Sequence, residues 1–179
     1  NGVIHGIVGE SGCGKSMTAK TIMRLHDESK TEYSGSIMLD GNCDILKMSQ
    51  KELQMMRGKD VSMIFQDPMT ALNPVVTIGK QMTETILCHE KVTKEEAKER
   101  AIALLEKVGI HPGKERFNSY PFEMSGGQLQ RVCIAMSLLC NPRLLIADEP
   151  TTALDVTMQA QILELLKKLQ RESNSSILI

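Results

Sequence analysis

Short apolar runs alternate along this chain with longer amphipathic segments, and the two periods separate candidate strands from candidate helices. The short runs cover residues 3–8, 36–39, 61–65, 143–147 and 175–179. They are bounded largely by Gly, Pro, Asn, Asp or Ser, which marks them as strands. The runs at 61–65 and 143–147 lack a polar alternation and are expected to be buried on both faces, as in a parallel sheet. Helices are expected over 15–25, 49–57, 77–89, 93–108, 128–139 and 157–171. The clearest is 93–108, where Thr93-Lys94-Glu95-Glu96 forms a capping box, Ala97, Ala101, Leu104, Leu105 and Val108 make one apolar stripe, and Gly109 stops the helix. The last helix carries Met158, Ile162, Leu165, Leu166 and Leu169 on one face. The charge-rich stretch 90–100 reads as solvated helix surface, and residues 69–119 as a mainly helical insert. Strands alternating with helices predict an α/β fold with a mainly parallel sheet.

One loop in this pattern carries chemistry directly. Gly9-Glu10-Ser11-Gly12-Cys13-Gly14-Lys15-Ser16 reads G-x-x-x-x-G-K-S between a candidate strand and a candidate helix. Its glycines let backbone N–H groups turn inward as an anion nest at a helix N-terminus. Lys15 adds a point charge for the β- and γ-phosphates, and the Ser16 hydroxyl is an oxygen ligand for Mg²⁺. Asp148 ends the 143–147 strand and can position the metal, directly or through water. Glu149 follows where an in-line water would sit and can serve as its general base. Gln66 also ends a strand; its amide can ligate Mg²⁺ weakly or orient the water. Ser125-Gly126-Gly127-Gln128 opens another helix and offers a second set of N–H groups for phosphate. A second anion site in a chain that already has one makes sense if it completes the site of a neighbouring subunit.

Composition narrows the partners. A net charge of −1 gives no general electrostatic grip on nucleic acid or anionic membrane, and three Phe, two Tyr and no Trp provide no base-stacking platform. The five cysteines, at 13, 43, 88, 133 and 140, form no C-x-x-C pair, so neither a disulfide framework nor a zinc site is expected; reduced cytosolic thiols are. No apolar run approaches the roughly 20 residues that span a bilayer, and no signal-peptide pattern is present. The chain starts close to an incoming strand and closes on another, so a longer domain cut at both ends is expected.

Together the motifs resemble the nucleotide-binding subunit of ATP-binding cassette (ABC) transporters, a resemblance that runs over essentially all 179 residues. Residues 9–16 match Walker A, Gln66 the Q-loop, Ser125 to Gln128 the signature, Leu144 to Glu149 Walker B with its glutamate, and Ala153-Leu154-Asp155 the D-loop. The strings around Gln66 and Glu149 are most similar to ATPase subunits of bacterial oligopeptide, dipeptide and nickel importers. The resemblance implies a P-loop NTPase fold, with a RecA-like core at 1–68 and 140–179 and a helical subdomain at about 69–139. It implies ATP and Mg²⁺, with nucleotide contacts from Gly9, Glu10, Ser11, Gly12, Cys13, Gly14, Lys15, Ser16 and Met17, and metal contacts from Ser16, Gln66 and Asp148. Ser125, Gly126, Gly127 and Gln128 would close over a partner subunit's ATP, with Glu149 and Gln66 as the catalytic pair. The implied partners are a second ATPase subunit, two permeases and, indirectly, an extracytoplasmic solute-binding protein; no nucleic acid is implied. The implied location is the cytoplasmic face of a bacterial membrane, and the implied task is import of peptides or a related small solute such as nickel. The alternative is an ABC-type ATPase acting on DNA or the ribosome, disfavoured by the compact interval between Walker A and the signature. Met124 stands where the family usually has leucine. The adenine-stacking aromatic and the switch histidine have no counterpart here, since His5, His26, His89 and His111 are out of place.

Overall fold

The computed structural model describes residues 2–152 and 154–179. Strands β1 (Ile4–His5), β4 (Val61–Ile64), β5 (Leu144–Ala147) and β6 (Ser176–Leu178) form one sheet in the order β1-β6-β5-β4, every pair parallel. Two short strands, β2 (Met38–Leu39) and β3 (Cys43–Asp44), form a separate antiparallel hairpin across the Asp40-Gly41-Asn42 turn. As the missing alternation predicts, β4 is buried along its whole length. The pairing of β1 is longer than its regular geometry, with ladder bonds reaching from Val3 to Ile7. It lies at the sheet edge with a single partner, which leaves Ile4 and His5 exposed.

The helices are α1 (Lys15–Ile22), α2 (Gln50–Met56), α3 (Pro68–Ala71), α4 (Ile78–His89), α5 (Lys94–Lys107), α6 (Gly113–Phe117), α7 (Gly126–Leu138) and α8 (Val156–Ser173). Each expected helix is present within about three residues of its predicted ends. The short α3 and α6 lie inside the region expected to be helical; Asp67 caps α3 and Pro68 starts it. The capping box at Thr93 and Glu96 is formed, and equivalent boxes stand at Ser49 with Glu52 and at Ser125 with Gln128. Asp155 caps α8 through Met158 N; its neighbour Ala153, also expected in the D-loop, lies outside the described residues.

Two apolar clusters hold these elements. The larger joins Ile78, Met82 and Ile86 of α4 to Ala97, Ala101 and Leu105 of α5, then through α7 to Leu145, Ile177 and Ile162. The smaller packs Ala19 and Met23 against Leu53, Val61 and Ile146. Both surfaces of the sheet are therefore covered, and α7 is the element that connects the helical insert to it. The 90–100 stretch is solvated as expected at Lys91, Lys94, Glu95, Glu96, Lys98 and Glu99, and half-covered at its two ends, Glu90 and Arg100. Arg100 pairs with Glu90 and donates to the Leu139 carbonyl at 2.8 Å, tying α5 to the end of α7.

Candidate nucleotide site

The glycine-rich loop is shaped by two local demands. Gly14 is the N-cap of α1 at φ +101°, a left-handed conformation that a Cβ disfavours. The loop also curls so tightly that a Cβ on Gly9 would lie 2.5 Å from Cys13 Sγ. Inside the curl, Cys13 N donates to Glu10 O at 3.2 Å. The N–H groups of Gly12, Gly14, Lys15 and Ser16 donate to no backbone carbonyl among the described residues, and all four lie at or next to the start of α1. That nest, backed by the helix dipole, fits a polyphosphate.

The acidic side of the site comes from the loop after β5. In the sheet, β6 separates β5 from β1, yet Ser16 Oγ donates to Asp148 Oδ1 at 2.7 Å. A hydroxyl and a buried carboxylate in contact form a hard-oxygen donor set, so these two residues fit Mg²⁺. Glu149 is held at φ +46°, a left-handed strain in a residue with a Cβ, of order 1–3 kcal/mol. The strain is offset by contacts that aim its carboxylate: Gln66 Nε2 donates to Oε2 at 3.0 Å, and Lys15 Nζ lies 3.5 Å from Oε1. Thr152 adds a third hold, its Oγ1 donating to Glu149 O at 3.2 Å and to Oε2 at 3.1 Å. Thr152 has a positioning part that sequence reasoning missed; the adjacent threonines after Pro150 were the available signal. Lys15 Nζ also donates to Gly9 O at 3.0 Å and Glu10 O at 3.1 Å, so the ammonium sits across the mouth of the nest. A cleft between loop and sheet is lined by Ile7, Lys15, Ala19, Asp148, Glu149 and Thr152, among others.

The structure thus brings together Lys15, Ser16, Gln66, Asp148 and Glu149. Glu10, Ser11 and Cys13 form the exposed outer side of the loop, and Met17 is exposed on α1. Ser125, Gly126, Gly127 and Gln128 do not line that cleft; they stand at the start of α7, where a Cβ on Gly127 would meet Met158 Cε at 2.4 Å. Ser125 and Gln128 spend their side chains capping each other's N–H groups, at 3.0 and 3.4 Å, while the N–H groups of Gly126 and Gly127 donate to no backbone carbonyl among the described residues. Among the described residues no helix is long and apolar enough to cross a membrane.

A parallel sheet carrying a phosphate nest, with a helical insert folded over its far edge, defines a P-loop nucleotide-binding cassette of the ABC ATPase type. The dimeric ATP-binding cassette MJ0796 in a post-hydrolysis state, bound to ADP and Pi, superposes with a TM-score of 0.82 at 29% identity, over 98% of this chain and 72% of that one. The family model described as ABC transporter matches residues 1–152, and the chain belongs to that family. The oligopeptide transport ATP-binding protein OppD of Bacillus subtilis (strain 168) is 56% identical over 173 residues, 96% of this chain and 48% of OppD. The dipeptide transport ATP-binding protein DppD of the same strain is 50% identical over 178 residues, 99% of this chain and 53% of DppD. The chain therefore spans about half the length of the curated relatives it matches.

Proposed function

We propose that the protein of which this chain is the nucleotide-binding part hydrolyses ATP to power peptide import through an ABC transporter. The observation that carries this reading is the joined constellation of Lys15, Ser16, Asp148, Glu149 and Gln66, three of its contacts bridging more than 80 positions in sequence. The nest and Lys15 hold the β- and γ-phosphates, the ammonium exchanging its carbonyl partners for phosphate oxygens. Ser16 and Asp148, with Gln66 as a further amide ligand, would hold Mg²⁺, which would supply charge neutralisation on those oxygens. Glu149 orients a water in line with the γ-phosphate and takes its proton, while Gln66 and Thr152 fix the carboxylate. Gly126 and Gly127 do not line this chain's own cleft, and their amides donate to no backbone carbonyl among the described residues, which supports a dimer in which each signature closes over the partner's ATP. The 1–68 and 140–179 segments act as the core and about 69–139 as the helical subdomain that meets the permeases, on the cytoplasmic face of the membrane. The names of the relatives favour a peptide over nickel as the solute, and the DNA or ribosome alternative gains no support from them.

Glu149→Gln in the full-length protein tests this reading. It is expected to leave ATP binding intact, to abolish turnover and to accumulate the ATP-bound dimer. Undiminished hydrolysis by that variant would remove Glu149 from the mechanism.

A further inference from the structure

Gln130 is 2% exposed, and its amide nitrogen has no hydrogen-bond partner among the described residues. A buried donor without an acceptor costs stability, whereas an apolar group of the same shape costs nothing comparable. Its position on α7 narrows what the amide could meet. About one and two turns further along, Cys133 and Ser137 line the groove against β4 and α3. On the adjoining face, Gly127 abuts Met158 and Arg131 donates to Gln161, both residues of α8. Residue 130 lies between these two faces, toward the loop after β4 and the approach to α8. That loop is Gln66-Asp67-Pro68, and it already touches α7: the Cys133 thiol donates to Pro68 O at 3.9 Å. The Asp67 charge is near enough to add to burial in pushing that thiol up to about 12. Asp67 uses Oδ1 to cap α3, accepting from Met69 N at 2.9 Å, and its second oxygen accepts no bond among the described residues.

We propose that Gln130 is a positioning residue: when the Gln66 loop moves toward α7, the Gln130 amide donates to the free carboxylate oxygen of Asp67. The bond fastens the loop that holds Gln66 against Glu149 to the helix that begins at Ser125. The two ends of the hydrolytic machinery are then fixed to one another by a side chain that touches neither nucleotide nor water. This inference rests on the ATPase reading above. It also explains why an unpaired amide is retained inside α7: its partner is met in the other arrangement of the loop.

The test uses the full-length protein assembled with its permeases, measuring melting temperature, kcat and KM for ATP. Gln130→Met keeps the length of the side chain and removes the donor. The melting temperature is expected to hold or rise and KM to stay unchanged. The value of kcat is expected to fall about five- to tenfold, the kinetic equivalent of one buried hydrogen bond. Gln130→Glu is expected to lose activity as well, and Asp67→Asn in the same chain to restore it, because donor and acceptor have exchanged places. Unchanged kcat in Gln130→Met overturns the inference, as does a joint fall of melting temperature and kcat, or failure of Asp67→Asn to rescue Gln130→Glu. Absence of turnover in the wild-type assembly would overturn the ATPase reading and this inference with it.

Discussion

Gly126 offers a test in which stability and activity move in opposite directions. Its φ lies outside the left-handed region, and a Cβ built on it meets nothing within 4 Å. Nothing inside the chain therefore requires glycine there. Gly126→Ala at the first position of α7 keeps the N–H, stiffens the helix start and gains up to about 1 kcal/mol of helix propensity. For a domain of this size that is a rise of up to about 4 °C in melting temperature. What the methyl group would obstruct lies outside the chain, in the close approach of a phosphate to the Gly126 and Gly127 amides. Turnover and ATP-driven dimerisation should fall while the fold is unharmed. Gly79→Ala is the control: its Cβ would lie 2.3 Å from the Phe117 ring, a clash between α4 and α6 far from any nucleotide. Overpacking of that kind costs about 1–3 kcal/mol, or roughly 2–12 °C. Scanning fluorimetry and a phosphate-release assay on both variants read the two effects separately. A fall in melting temperature for Gly126→Ala comparable to that of Gly79→Ala would refute the reasoning, and so would full turnover.

Three further outcomes are expected. Arg100→Met removes the donor to Leu139 O and the partner of Glu90; because the pair is about one-third exposed, the loss should be about 1–2 kcal/mol, seen as a lower urea midpoint with an unchanged slope. Native thiol titration should label the exposed Cys13, Cys43 and Cys88 first and spare Cys133, whose burial keeps it protonated near pH 8; ATP should slow labelling at Cys13 alone among the three. The Arg100 guanidinium holds the Glu90 carboxyl below the usual range, as hydrogen bonds from Ser49 and Thr93 do for Glu52 and Glu96. These lowered values make stability complete above the ordinary carboxylate range and lose it as pH falls through the folded values. Glu90→Gln should therefore flatten the acid limb of a stability-versus-pH curve by lowering stability above about pH 6 while converging with the parent curve as pH falls below the carboxylate range.

Local chemistry made much of this molecule legible before folding was considered. The phosphate loop could be read because eight consecutive residues carry its whole geometry: Gly14 satisfies a left-handed cap, and Lys15 and Ser16 follow at fixed offsets. The helix at Thr93 could be read because a capping box and a 3.6-residue stripe both lie within one segment. Other features needed contacts distant in sequence. Arg100 looked like solvated surface, since nothing in its helix announces that its partner is the carbonyl of Leu139. The motif at Ser125 to Gln128 read as an anion site; in the fold its two side chains cap one another, and the Gly126 and Gly127 amides donate to no backbone carbonyl among the described residues.

The sequence by itself determined most of the elements, the glycine-rich loop and the candidate reactive groups, because caps, turns and amphipathic stripes are settled within a few residues. Only the tertiary structure decided that β6 inserts between β1 and β5, that Ser16 nevertheless reaches Asp148, and that Gln66, Lys15 and Thr152 all converge on Glu149. It alone left the Gln130 amide nitrogen buried without a partner among the described residues. Strand order and the pairing of side chains across 80 or 130 residues follow from which apolar faces can be covered together, and that is a property of the whole packed chain.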